Sequence, residues 1–328
     1  LHWIARRAIF AMITILFVIS FNFFLIRLMP GNPADYLLMQ LIYERSIPVE
    51  EAYKIVQVYF GMNLTRPLHE QYIEYLTSLL RGDLGRSLLS LNTPVSKIIA
   101  QSLPWTVFPI SISVIISFAI GVSLGMVAAY KRGGKFDRVF LVIAPIFNSI
   151  PNYIYALIFL YSLAVIARIF PLYGAYSVKP GFTLEFISDA FYHAALPILS
   201  YVVASFAGWG LAMRGSTISV LGEDYVTAAE ARGLPKRRIT FSYVGRNAIL
   251  PLFTSLLISL GYVVGGAVFI ETTFSYPGIG YFLVQSVYGR DYTLMQGCFL
   301  VLTVAIVIAN FIADLVYSRL DPRIKMGG

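Results

Sequence analysis

Charged side chains crowd residues 222–238, GEDYVTAAEARGLPKRR, and their spacing suits docking rather than bond-making. Asp224 can accept hydrogen bonds from the free N–H groups that open a helix. Tyr225 through Arg232 would follow, and Gly233 suits the left-handed position that ends one. Pro235 then begins a second helix, with Lys236, Arg237 and Arg238 in its first turn. Ala228, Ala229 and Ala231 give the first helix a thin profile that fits a groove on a partner protein, and Glu230 and Arg232 offer charge pairing at the rim. From these residues alone, a solvated turn whose basic side chains fix topology reads equally well.

Other candidate chemistry is sparse. A phosphate cradle needs GxxxxGK followed by Ser or Thr. In RGGKFDR, Gly134-Lys135 is followed by Phe136, so the hydroxyl that would meet magnesium is missing. This chain is expected to bind no ATP, cofactor or metal of its own. Its single cysteine, Cys298, and its dispersed histidines, His2, His69 and His193, form no ligand pattern. An intramembrane hydrolase is disfavoured for want of a nucleophile elbow, and His193 is expected at a membrane edge.

The elements that must position these residues are apolar. Of 328 residues, 58% are hydrophobic and 13% charged, too few charges to coat a soluble globule. Six runs of at least 19 residues lack Asp, Glu, Lys and Arg: 8–26, 98–130, 139–167, 190–213, 247–270 and 292–313. Each is long enough to cross a bilayer as a helix, the conformation that satisfies backbone polar groups in lipid. The first is expected to be a retained helix rather than a cleaved signal. Six crossings put both termini on one side. Fifteen Lys and Arg flank the spans on that side and 4 occupy the short flanks opposite, with 6 more between Arg45 and Lys97. Basic residues stay in the cytoplasm, so both termini and residues 222–238 are expected there. The net charge of +8 is thereby topological and needs no nucleic acid.

Three segments follow: residues 1–29, a tail and first span; 30–104, an extracytoplasmic helical insertion; and 105–328, the remaining five spans with the charged loop at about 214–246. In the insertion, VEEAYKIVQVYFG and LHEQYIEYLTSLLRG predict short amphipathic helices. Tyr72, Tyr75, Leu76, Leu79 and Leu80 lie near helical spacing, and Gly61 and Gly82 are the stops. In the third span Pro145 and Pro151 predict kinks. Asn148, Ser149 and Asn152 are costly toward lipid, and either line a path or bond a neighbouring helix. After the fifth span, ETTFSYPGIGYFL predicts a bent or re-entrant gate carrying Phe274, Pro277 and Gly278. No charge lies inside the spans, against an ion-coupled secondary transporter.

DYVTAAEARGLPKRR followed by RNAILP resembles the EAA motif of ABC importer permeases, in the spacing of the dipeptide, oligopeptide and nickel branch. RRAIFAMITILFVISFNFFLIRLMPGNPA, RGDLGRSL, LGMVAAYKRGGKFDR, ETTFSYPGIGYFLVQSVYGRDYTLMQG and LVYSRLDPRIK extend the resemblance over nearly the whole chain. Thr227 stands where the general motif has Glu. The resemblance implies an all-α polytopic protein of the type I ABC importer fold, the B-type permease of its operon, in the cell membrane. It makes residues 224–233 the coupling helix. It also implies partners: a second homologous permease, two cytoplasmic ATPase subunits that hold ATP and Mg2+, and an extracytoplasmic binding protein. Relatives in this branch carry peptides, nickel or oligosaccharides, and peptides are the expectation here.

Overall fold

The computed structural model describes residues 2–28, 37–44, 46–60, 67–90, 93–261, 263 and 268–320. The expected helix stop at Gly61 lies outside them. The helices are α1 (His2–Arg27), α2 (Val49–Phe60), α3 (Leu68–Leu80), α4 (Val95–Tyr130), α5 (Lys135–Ser149), α6 (Asn152–Phe159), α7 (Leu184–Leu221), α8 (Asp224–Ala231), α9 (Arg246–Gly261), α10 (Val268–Thr273), α11 (Ile279–Tyr288) and α12 (Tyr292–Leu320). Wider π-helical turns at Leu160–Ile166 and Ile239–Gly245 prolong α6 and lead into α9.

Among the described residues, five helices are long and apolar enough to cross a membrane. The sixth crossing is the pair α5 and α6, if it is counted as one span, bent by 89° at its break. The bend sits at Pro151, where Ile150 is forced into an extended conformation. Pro145, also predicted to kink, lies inside the continuous α5. Of the charge-free run 247–270, α9 covers residues 247–261 and α10 residues 268–270, while residues 262 and 264–267 lie outside the described residues.

The chain divides into two compact units. The first comprises Leu1–Trp105 and Pro277–Val307. There Phe23 of α1 packs its ring against Tyr72 and Tyr75 of α3, at centroid distances of 5.1 and 5.5 Å. The Ser20 and Tyr72 hydroxyls hydrogen-bond at 2.6 Å. Leu80, expected on the same face of α3, is 89% exposed, because the helix ends there and Arg81–Gly82 turns the chain away. Gly82 takes φ +74°, the left-handed stop expected of it. Val95, Ile98 and Ile99 of α4 pack on Ile279 and Leu283 of α11 and on Leu294, Met295 and Cys298 of α12. Asp291, wholly buried, caps α12 by accepting from Leu294 N at 3.0 Å and gathers the loop before α4, accepting from Ser87 Oγ at 2.5 Å, Leu88 N at 2.8 Å and Leu89 N at 3.1 Å.

The second unit comprises Thr106–Tyr276 and Ile308–Gly328, and α7 is its spine. At 38 residues α7 is about 57 Å long, well beyond a hydrocarbon core of about 30 Å. A cluster of Phe140 and Ala144 from α5 with Ala128 of α4 covers Ala207 of α7, while Ala248 and Leu252 of α9 meet Met213. Helix α4 crosses α7 backbone against backbone. A Cβ on Gly125 would stand 2.1 Å from the Gly210 carbonyl oxygen, and one on Gly121 would stand 2.3 Å from that of Phe206. Gly125→Ala should therefore destabilise the purified chain by about 1–3 kcal/mol, the usual cost of overpacking. Gly181→Ala, where a Cβ meets nothing within 4 Å, should leave the thermal midpoint in detergent unchanged.

Candidate coupling helix and pathway

Between two spans, α8 is a separate eight-residue helix, about 12 Å long. Its N-cap position is Glu223, and Asp224 is the first helical residue rather than the cap. Gly222 and Glu223 are the only residues between α7 and α8, so the cap falls one residue early. Gly233 ends the helix at φ +70° as its type predicts. Lys236–Arg238 form a helical turn after Pro235, and this turn is the foot of the fifth span.

The two faces of α8 are different. Val226 and Ala229 are buried, packed with Ile239 and Val244 of the π-helical foot and flanked by Val220, Leu221 and Leu234. Asp224, Tyr225, Ala228, Glu230 and Ala231 are exposed. Ala229 thus faces into this chain, and the thin outward surface belongs to Ala228 and Ala231, beside Tyr225. The spacing i, i+3 puts Val226 and Ala229 on one face of a helix. That was readable in the sequence, but not which way the face turns.

A part-buried ion pair ties α7 to α5. Arg214 Nε and Nη2 donate to Asp137 Oδ1 and Oδ2 at 2.5 and 3.0 Å, a bidentate fork. Asp137 Oδ2 also accepts from Gly133 N at 2.9 Å. Arg214, counted among the topological basic residues, is therefore neutralised by an acid of α5. The RGGKFDR turn has its Gly133 N–H engaged by that same carboxylate, where a phosphate cradle would leave such groups pointing at a ligand. A GxSxG spacing does occur at residues 121–125, GVSLG, but in the middle of α4. Ser123 Oγ there donates to the Ala119 carbonyl at 2.7 Å, and the two glycines are the crossing contacts with α7.

Along the candidate path, Asn148 and Ser149 at the α5–α6 elbow are exposed and Asn152 is half-buried. Ser149 Oγ donates to the Pro145 carbonyl at 2.7 Å. Asn148 Oδ1 lies where Gly208 of α7 leaves room, 2.9 Å from the position a Cβ would take. Beside them Tyr153 of α6 and Phe269 of α10 bring their rings to 5.7 Å. Phe274 is buried just after α10, and its carbonyl accepts from Gly174 N at 3.1 Å. In the other unit, Pro277 is half-buried and Gly278 is buried at the N-cap of α11.

Sequence reasoning passed over Glu271. It directly follows the charge-free run and is 3% exposed, in a cavity lined by Pro109, Ser113, Pro197, Tyr201 and Tyr276. Burial, and then the nearby Glu271, pushes the Tyr276 hydroxyl well above the usual phenol range. An acid directly flanking an apolar run, six residues before PG, was the available signal.

Residues 121–326 match the family model described as "Binding-protein-dependent transport system inner membrane component". Over 323 residues the chain is 31% identical to "Probable peptide ABC transporter permease protein y4tP" of Sinorhizobium fredii, spanning 98% of this chain and 99% of that protein. It is 30% identical over 323 residues to the oligopeptide transport system permease protein AppB of Bacillus subtilis, with the same coverage. Among solved structures, a chain of the MetNI methionine ABC transporter, in inward-facing conformations, shares the fold. The TM-score is 0.55 at 19% identity, covering 69% of this chain and 97% of that one.

Removing one member of the Asp137–Arg214 pair should loosen the turn at 131–134. Asp137→Asn should lower the thermal midpoint and speed tryptic cleavage after Lys131 or Arg132. Asp137→Asn combined with Arg214→Gln should cost less than the two single changes added, because the pair fails as a unit. Strict additivity in that cycle would show that the two side chains act independently.

Proposed function

Because the chain belongs to the family of binding-protein-dependent transport system inner membrane components, we propose that it is the permease subunit through which an ATP-driven importer takes up di- and oligopeptides. The observation that carries this reading is the two-faced helix α8. Its outer face is small and exposed, and its inner face is locked to the chain. Such a helix transmits a push and does no chemistry of its own. The names of the relatives support a peptide as the solute.

In this reading two cytoplasmic ATPase subunits hold ATP and Mg2+ and receive α8 in a cleft, against Tyr225, Ala228, Glu230 and Ala231. Their closure moves α8. Because Val226 and Ala229 pack on the foot of the fifth span, and α7 runs into α8 through two residues, the spans move with it. The result is alternating access by a rigid-body movement. A second, homologous permease supplies the other half of the pathway, and an extracytoplasmic binding protein delivers the solute. The basic flanks support a topology with both termini and α8 in the cytoplasm and the α2–α3 segment outside. Asn148, Ser149 and Asn152 line the path, and residues 271–278 form the outer gate.

The assembled complex in proteoliposomes should import peptide only with ATP and binding protein present, and a protonophore should not stop it. Ala228→Trp should leave the thermal midpoint of the chain unchanged, since residue 228 is exposed. It should cut uptake and binding-protein-stimulated ATP hydrolysis by about tenfold or more, the factor that steric overlap in a docked groove supplies. Wild-type uptake by this variant would refute the docking face. Uptake that follows a proton gradient without ATP would refute the importer.

A further inference from the structure

Residues 167–178, between α6 and α7, are held to α7 by side chains from successive positions on one stretch of that helix. Tyr192 Oη donates to the Ile169 carbonyl. His193 Nδ1 donates to the Gly174 carbonyl, which can only accept, at 3.2 Å. Asp189 accepts from Ser177 N at 2.5 Å, Ser177 Oγ at 2.7 Å and Val178 N at 3.2 Å. Asp189 and His193 are one turn apart, their side chains 13% and 7% exposed, with Nε2 3.6 Å from Oδ1. The segment is thus a strap with a defined shape, and Gly174 sits in it at φ +83°.

The N–H of the same residue reaches the end of α10. Gly174 N–H donates to the Phe274 carbonyl at 3.1 Å. Immediately beyond, Ser275 stands at φ +45°, uncommon for a residue with a side chain, and Tyr276 N returns to the Glu271 carbonyl at 2.7 Å. One glycine therefore links a helix-anchored strap to a turn with an unusual backbone conformation. The linkages differ in strength. Those to the Asp189 carboxylate are charge-assisted, whereas Gly174 to Phe274 joins two neutral groups. When the end of α10 moves away from α7, the neutral bond breaks first and the strap stays on α7.

We propose that His193 is a positioning residue for the gate: through Gly174 it holds the end of α10 in place, and the gate opens by breaking the bond from Gly174 N to the Phe274 carbonyl. This rests on residues 271–278 being the gate of an ATP-driven importer. Its role is to keep ATP hydrolysis low until the loaded binding protein docks.

The test uses the full complex in proteoliposomes and compares ATP hydrolysis without and with binding protein. Asn places its amide nitrogen where His193 carries Nδ1, whereas Gln places it nearer Nε2. His193→Gln and His193→Ala should raise hydrolysis in the absence of binding protein roughly two- to tenfold, the factor one neutral hydrogen bond supplies. His193→Asn should restore the wild-type ratio. Tyr192→Phe, which removes one hydroxyl from a half-exposed ring, should shift the ratio in the same direction by less, and carries the test should the His193→Ala complex fail to assemble. Equal ratios for wild type, Gln and Ala, or an Asn variant as uncoupled as Ala, would overturn the proposal. A wild-type complex that does not couple hydrolysis to binding protein at all would instead overturn the importer reading on which it rests.

Discussion

The approach of α4 to α7 at Gly121, Gly125 and Gly210 is the constraint from which the second unit follows. Lipid gives apolar helices no hydrophobic reason to associate, so close packing and interhelical bonds must hold them together. Backbones that touch gain dispersion along their length and admit no side chain between them. With α4 seated against α7, Phe140 of α5 reaches Gly210 from another direction, and its ring tip lies 2.6 Å from where a Cβ would be. The Asp137–Arg214 fork then closes the same assembly at the foot of α7. Helix α8 inherits its position from this assembly, being joined to α7 through two residues and packed on the foot of α9.

A second regularity concerns the acids. Asp137, Asp189 and Asp291 each lie at or near a helix end and each accepts from backbone N–H groups of a loop: Gly133, Ser177 with Val178, and Leu88 with Leu89. A carboxylate can take several donors at once. In an apolar chain it is therefore an economical means of ordering a loop whose own side chains cannot. These acids act as loop organisers, and their scarcity in the sequence reflects how few loops need shaping.

Much of this architecture was legible beforehand. The span census, the amphipathic pair α2 and α3, the α8 segment and the left-handed glycines at 82 and 233 all follow from local pattern. What was not legible depends on distant partners. The inward turn of Ala229 needs Ile239 and Val244, and the outward turn of Leu80 needs the chain to leave at Arg81. Nothing in RGGKFDR itself tells that Asp137 pairs with Arg214, 77 positions away. The GVSLG glycines mimic a nucleophile elbow in spacing, and only the helix around them shows that they serve contact with α7. Helical periodicity reports that a face exists; its neighbour is decided by topology.

Asp291 carries a consequence for biosynthesis. Ser87, whose hydroxyl it receives, precedes it by 204 positions. At about 5–20 residues per second, a ribosome needs roughly 10–40 s to reach Asp291 after Ser87 has been made. For that interval Ser87 and the amides of Leu88 and Leu89 must be solvated by water. The loop before α4 therefore acquires its final form only when α12 begins, so a nascent chain stalled in between would carry this loop unfinished.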